Sequence, residues 1–478
     1  MRRHIRHAIA FAAAATTLSG GIVASTGTQA EAVTAGPAPT RYSDDFNGDG
    51  YHDLAVGSPN ADVDVTGADG ATTKAWGAGY VTVSYGGKYG AQKTGLKAVT
   101  QNSPGVPGDP TQSGRFGQVL TNGDFNADGY ADLAVGARGQ VSLLWGSRTG
   151  LKGGTLMDDP MNWSDIGTAL KAGDFTGDGK TDLVVGYSTS LRLFKGPFKA
   201  DGTPVSTQKV DTGRNYPVFT DAQDRIAVGR VNKGSIDDLV VLGEERKRGR
   251  VLLGGASGLR QTPATIRGGN SVAIADFDKD GYGDIAVGDA QSTLDTEYAA
   301  GVVRVNYGSS NGADEDRSTR VFTEDTAGIP GGVQQGDRFG ASVAAADLNR
   351  DGYAELVVGA TGERKSTCEH CYITGGGFYV LKSSSRGVTG TGATFYAHNA
   401  SGLPRPAGTY RIPSHLKTTD LNNDKQPEIT IPVRSSVPEV WSVGTKSGKV
   451  AGASPTRVVK PPVDSQVSAG TEFGVLAH

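Results

Sequence analysis

Short, wholly apolar runs punctuate this chain at regular intervals, each preceded by a turn of alternating oxygen-bearing side chains. The first reads Asp45-Phe46-Asn47-Gly48-Asp49-Gly50-Tyr51-His52-Asp53, followed by Leu54-Ala55-Val56-Gly57. The pattern returns at Asp124 to Gly136, Asp174 to Gly186, Asp276 to Gly288 and Asp347 to Gly359, and more loosely at Asp420 to Ile431. A further copy keeps only the tail, Asp238-Leu239-Val240-Val241, with Arg230, Asn232 and Gly234 where the oxygen-bearing residues should stand. Internal repetition of this kind sets architecture ahead of local propensity.

An apolar run without alternation predicts a strand buried on both faces. A short strand precedes each turn, as at Gln118 to Gly123 and Ser342 to Ala346. A third strand recurs seven times: Tyr80 to Tyr85, Val141 to Trp145, Leu191 to Phe194, Arg250 to Leu253, Val302 to Tyr307, Phe378 to Leu381 and Val440 to Val443. A fourth is more polar, as in Ala98-Val99-Thr100 or Thr319-Arg320-Val321, and suits an exposed outer edge. Helical periodicity is absent and glycine makes up 71 of 478 residues. These features predict an all-β sandwich, barrel or propeller. The repeats run without a composition break, so 33–478 is expected to form a single domain.

Residues 1–32 are read as a cleaved signal peptide. Arg2, Arg3 and Arg6 open it, an apolar stretch from Ile9 to Ala15 is too short to span a membrane, and Ala30-Glu31-Ala32 offers a small-residue cleavage site. No other run approaches the roughly 20 apolar residues of a transmembrane helix. Removing the leader takes the formal charge from −3 to about −5, which argues against nucleic acid as a partner. The expectation is a secreted, extracellular monomer.

Within the first turn, Asp45, Asn47, Asp49 and Asp53 supply hard oxygens at positions 1, 3, 5 and 9. Tyr51 would add its backbone carbonyl, and Gly50 permits the bend. Oxygen donors without sulfur or imidazole favour calcium, with magnesium second. The turn is not an EF-hand, because position 12 holds Val56, Val135, Val185, Val287 or Val358 instead of glutamate. A solvated turn would account for one such copy, but not for six with one spacing.

Phe116-Gly117 and Phe339-Gly340 each sit eight residues before the first loop aspartate, and Gly57-Ser58-Pro59, Gly136-Ala137 and Gly359-Ala360 follow the buried strands. Here the chain resembles the FG-GAP repeats of the integrin α-subunit N-terminal domain, particularly their secreted bacterial relatives. The resemblance implies a seven-bladed β-propeller of four-stranded blades, with calcium between the first and second strands. The implied ligands are Asp45, Asn47, Asp49, Tyr51 and Asp53; Asp124, Asn126, Asp128, Tyr130 and Asp132; Asp174, Thr176, Asp178, Lys180 and Asp182. They continue with Asp276, Asp278, Asp280, Tyr282 and Asp284; Asp347, Asn349, Asp351, Tyr353 and Glu355; and Asp420, Asn422, Asp424, Gln426 and Glu428. Up to six calcium ions are thus implied, in repeats 1, 2, 3, 5, 6 and 7, and none in repeat 4. Repeat 7 departs from the pattern with Lys425 in place of glycine. Several repeats lack the Phe-Gly pair and carry Ile166-Gly167, Gly268-Gly269 or Ile412-Pro413 instead. Repeat 1 has none upstream, yet Phe473-Gly474-Val475-Leu476 stands at the C-terminus, so the C-terminal segment is expected to complete the first blade and close the ring.

Other candidate chemistry is sparse. Gly308-Ser309-Ser310-Asn311-Gly312 matches a nucleophile elbow, but it follows a strand that should lead to another strand, not to the helix an elbow requires. The histidines beyond the leader show no ligand spacing. Cys368 and Cys371 are expected to form a local disulfide in a secreted chain. The connections 58–78, 289–300 and 361–376 are long, and the resemblance puts them on the ligand-binding face opposite the calcium loops. Asp62, Asp64, Trp76, Glu297, Tyr298, Arg364, Lys365 and His370 are the candidate contacts there. The expected function is extracellular recognition of a protein or glycan; the alternative is a polysaccharide lyase or esterase on the same scaffold.

Overall fold

The computed structural model describes residues 43–92, 98–157, 169–187, 190–212, 223–243, 248–293, 300–362, 376–397, 415–433, 439–450, 457–459 and 475–476, with 96, 166–167, 400–401 and 403. The expected leader at 1–32 lies outside them, as do Glu297, Tyr298, Arg364, Lys365, Cys368, His370 and Cys371.

The chain forms seven four-stranded antiparallel sheets, numbered here as blades one to seven in chain order. Blade two runs Val119–Gly123, Asp132–Ala137, Gln140–Leu144, Gly154–Leu156 in that spatial order. Blades three to seven repeat this arrangement over 170–210, 226–267, 271–322, 339–397 and 417–459. Blade one takes Leu54–Ser58, Tyr80–Ser84 and Ala98–Val99 from the start of the chain and Val475–Leu476 from its end. Val56 pairs with Leu476 and Gly57 with Val475, so the ring closes as expected. Closure leaves no open inner edge on blade one.

Seven apolar clusters, one at each interface between neighbouring blades, hold the ring. The second strands of blades one to six each feed two of them. In blade one, Ala55 faces Phe116, Leu133 and Val135 of blade two, whereas Leu54 and Val56 face Leu421, Val440 and Val459 of blade seven. That sharing is why these strands read as unbroken apolar runs. The Phe-Gly pairs serve the same interfaces. Phe116 and Phe339 are fully buried, and Gly340 has φ 83°, where an added Cβ would stand 2.7 Å from the Val302 carbonyl oxygen.

Candidate functional site

The repeated turns cluster on one rim of the ring, each leading into a second strand and, in blades two to seven, arriving from the first. Their backbone is built by the side chains that make the pattern. In blade one, Asp45 Oδ1 accepts from the Gly48 and Asp49 amides at 2.7 and 3.1 Å, and Oδ2 accepts from Gly50 at 2.9 Å. Asn47 Oδ1 accepts from Asp49 at 2.9 Å, and Asp49 Oδ1 from Tyr51 at 3.0 Å. Blade six repeats the scheme through Asp347, Asn349 and Asp351, and blade seven through Asp420, Asn422 and Asp424. Lys425 does not break the blade-seven loop: it adopts φ 66° and donates its amide to Asp420 Oδ2 at 2.6 Å, as glycine does elsewhere. A non-glycine residue in that region costs about 1–2 kcal/mol.

Position 2 carries a signal that the oxygen pattern overshadows. Phe46, Phe125, Phe175, Val231, Phe277, Leu348 and Leu421 are all 0% exposed. Each enters the apolar cluster shared with the next blade and pins its loop to the core. Adjacent loops are also tied by backbone. The Asp45 carbonyl accepts from the Ala131 amide at 3.1 Å, Asp174 from Asp237 at 2.9 Å, and Arg230 from Gly283 at 2.9 Å.

Position 9 does more than complete an oxygen set. Asp53 is buried, accepting from the Phe46 amide at 2.8 Å and, through its other oxygen, from Gly86 at 2.7 Å. The carboxylate thus clamps the loop to the turn after the third strand. Asp132, Asp182 and Asp284 do the same with Gly146, Gly196 and Gly308. Blade four keeps the clamp although positions 1, 3 and 5 of its loop carry no carboxylate: Asp238 accepts from Val231, Asn232 and Gly254. In blades six and seven, Glu355 and Glu428 hold the Leu348 and Leu421 amides and the carboxamides of Asn349 and Asn422.

These carboxylates sit in an unfavourable field. Burial, with the repulsion of Asp45 and Asp49, pushes Asp53 up to about 8. Burial with Asp128 and Asp124 does the same to Asp132, also to about 8. Asp284, Glu355 and Glu428 are each driven to about 7, burial being the larger cause and loop carboxylates adding to it. In blade five the carboxylate oxygens of Asp276, Asp278 and Asp284 lie within 4.8 Å of one another. Arg317 reaches over this group, 2.5 Å from Asp278 Oδ2, with its guanidinium against the Tyr307 ring. Several hard oxygens crowded on a rigid turn fit a divalent cation of the calcium class.

The opposite rim carries the long connection of blade one, a hairpin of Val63–Thr66 and Thr72–Ala75. Of the candidate contacts expected there, Asp62, Asp64 and Trp76 come together on it. Asp62 and Asp64 are engaged within the hairpin: Asp62 Oδ1 accepts from the Gly77 amide at 3.0 Å, and Asp64 pairs with Lys74 at 3.0 Å. Trp76 is 58% exposed, with the Lys74 ammonium 5.9 Å from its ring. Lys74 was not evident from sequence; only strand pairing sets it beside Trp76. The Gly308–Ser309 and Gly312–Ala313 segments form a small hairpin in which Ser309 Oγ donates to the Gly312 carbonyl at 2.9 Å, and no helix follows.

Known proteins carry the same repeat. The family model for the FG-GAP repeat matches residues 43–87 and 339–378, and that for the FG-GAP-like repeat matches 124–185. A phosphatidylinositol-glycan-specific phospholipase D of Bos taurus is 32% identical over 166 residues, which is 34% of this chain and 18% of that protein. Integrin alpha-6 of Gallus gallus is 35% identical over 112 residues, 22% of this chain and 9% of that protein. The matched regions therefore span under a fifth of either relative's length. Among solved structures, an Agrocybe aegerita lectin described as recognising non-reducing terminal N-acetylglucosamine covers 72% of this chain and 90% of its own, at 15% identity and TM-score 0.39. The chain thus carries FG-GAP repeats over the matched residues, has integrin alpha relatives, and folds as a seven-bladed β-propeller of four-stranded blades.

Proposed function

We propose that this propeller is an extracellular recognition module for a protein or glycan, released by cleavage of a leader at 1–32, with the domain spanning 33–478. The observation that carries the reading is Trp76, 58% exposed beside Lys74 on the blade-one hairpin. An amphipathic aromatic with a neighbouring cation, held on a rigid scaffold, suits sugar faces and protein surfaces alike. Among the described residues no helix is long and apolar enough to cross a membrane.

Calcium has a structural part in this reading. It would be held by the carboxylates, amides, Thr176 hydroxyl and position-7 carbonyls of blades one, two, three, five, six and seven. Its charge would offset the burial and repulsion that raise the position-9 carboxyls. Blade four, with Arg230, Asn232 and Gly234, would hold none.

The test presents the mature protein, in calcium, to an array of glycans and matrix proteins. The outcome expected is specific retention that Trp76→Ala and Lys74→Gln weaken at least tenfold. Release of fragments from the array would overturn the binding role in favour of catalysis.

A further inference from the structure

On the axis of the ring the inner ends of the blades assemble charged groups that no sequence spacing connects. His415, at the start of blade seven, places Nδ1 2.5 Å from Asp224 Oδ2, at the start of blade four. These blades lie three apart in the ring, so the pair crosses its centre. His52 likewise holds Asp44 Oδ1 in blade one. Both carboxylates are thus already engaged by imidazoles.

Two lysines share this space. Lys171 and Lys417 lie on the first strands of blades three and seven, each three residues before the first loop aspartate. In blades four, five and six the equivalent residues are Ala227, Ala273 and Ala344. Lys171 is 5% exposed and makes no hydrogen bond or ion pair with the described residues. Among the described residues Lys417 has one carboxylate oxygen in range, Asp44 Oδ2, at 3.9 Å. Burial lowers both ammonium groups, Lys171 to about 8, with the charge of Lys417 adding to that shift and Asp224 opposing it. Lys171 therefore keeps most of its charge at neutral pH. A buried ammonium is disfavoured unless a counter-charge meets it.

We propose that Lys171 and Lys417 form an anion site on the propeller axis that takes one small dianion, either an inorganic oxyanion or a short dicarboxylate. A dianion between them would give Lys171 an acceptor that none of the described residues supplies and draw both lysines to a shared partner. The site is separate from the Trp76 hairpin and does not depend on calcium in the loops.

The test is calorimetric titration of the full mature protein, saturated with calcium and held at constant ionic strength with chloride. Sulfate is the inorganic arm and succinate the dicarboxylate arm. Saturable binding of one dianion per chain is expected in at least one arm, and the tighter arm names the source. Lys171→Met and Lys417→Met should each weaken it at least tenfold, while Lys446→Gln, at an exposed turn, leaves it unchanged. Melting in chloride alone checks folding; Lys171→Met should melt at or above the parent, because it removes a buried charge without a cavity. Should a methionine variant fail to fold, Lys171→Gln replaces it with the same expected loss. The proposal is overturned by the absence of saturable binding in both arms, or by binding that survives both lysine substitutions.

Discussion

Asp238 offers the sharpest separation between what the position-9 carboxylate does for the fold and what it would do for a cation. Its oxygens accept from the amides of Val231 at 2.8 Å, Asn232 at 3.2 Å and Gly254 at 3.0 Å, in a blade whose loop positions 1, 3 and 5 carry no carboxylate. Asp238→Ala strands three donors around a fully buried site. At about 1–3 kcal/mol for each buried donor left unpaired, the gross loss is about 3–9 kcal/mol. Burial raises the carboxyl above its ordinary value, so removing it recovers part of that cost. The net loss then lies toward the lower end of that range, about 3–4 kcal/mol. A domain of 150–250 residues loses about 2–4 °C per kcal/mol, and a ring of this size roughly half that, so Tm should fall by about 3–8 °C. Scanning calorimetry of the parent and Asp238→Ala, each with excess calcium and with chelator, should give the same drop in both buffers. Asp53→Ala in blade one should lose more in calcium than in chelator, since it removes a clamp and a ligand together. A Tm within about 1 °C of the parent for Asp238→Ala, or a drop confined to calcium, would refute the clamp.

Chelator should lower the Tm of the parent markedly; an unchanged Tm would sink the metal reading. In chelator, stability should also fall as pH rises from about 4 to 8. The folded Asp53 and Asp132 keep protons to about 8, whereas the unfolded chain releases them near 4, so the native state binds more protons across that window. Melting at several pH values, with and without calcium, should show this slope flattened by the cation; a Tm that climbs with pH in chelator contradicts it. Arg317→Met should raise the affinity of one cation site several-fold in a terbium luminescence titration, because the guanidinium on Asp278 no longer competes. Equal affinities would show that Arg317 yields freely. Deleting residues 468–478 should lower Tm by several degrees, since Leu476 is 1% exposed in the blade one–seven interface and its strand covers the inner edge of blade one. Unchanged melting would mean that Val475–Leu476 adds nothing to closure.

Much of this architecture was legible in the linear sequence because a repeat states its own geometry many times. The turn from Asp45 to Asp53 recurs at one spacing, and the runs after it lack alternation because their strands are buried from both sides, as Ala55 and Val56 show. Local chemistry also sufficed for the loops. A side chain two to five residues away is within reach of a turn's own amides, so Asp45, Asn47 and Asp49 shape their loop wherever the chain places it. Closure could be anticipated from Phe473-Gly474, although only the register of Val56 with Leu476 establishes it.

What remained hidden depends on residues far apart in the chain. The second oxygen of Asp53 meets Gly86, and Lys74 lies beside Trp76 only because a hairpin folds back. His415 and Asp224 are separated by 191 residues in sequence and meet only because the ring brings opposite blades to a common axis. Local pattern determines which strands and turns form, since those energies come from neighbours along the chain. Closing seven blades around one axis determines which distant charges must share a low-dielectric space, and no local pattern records that.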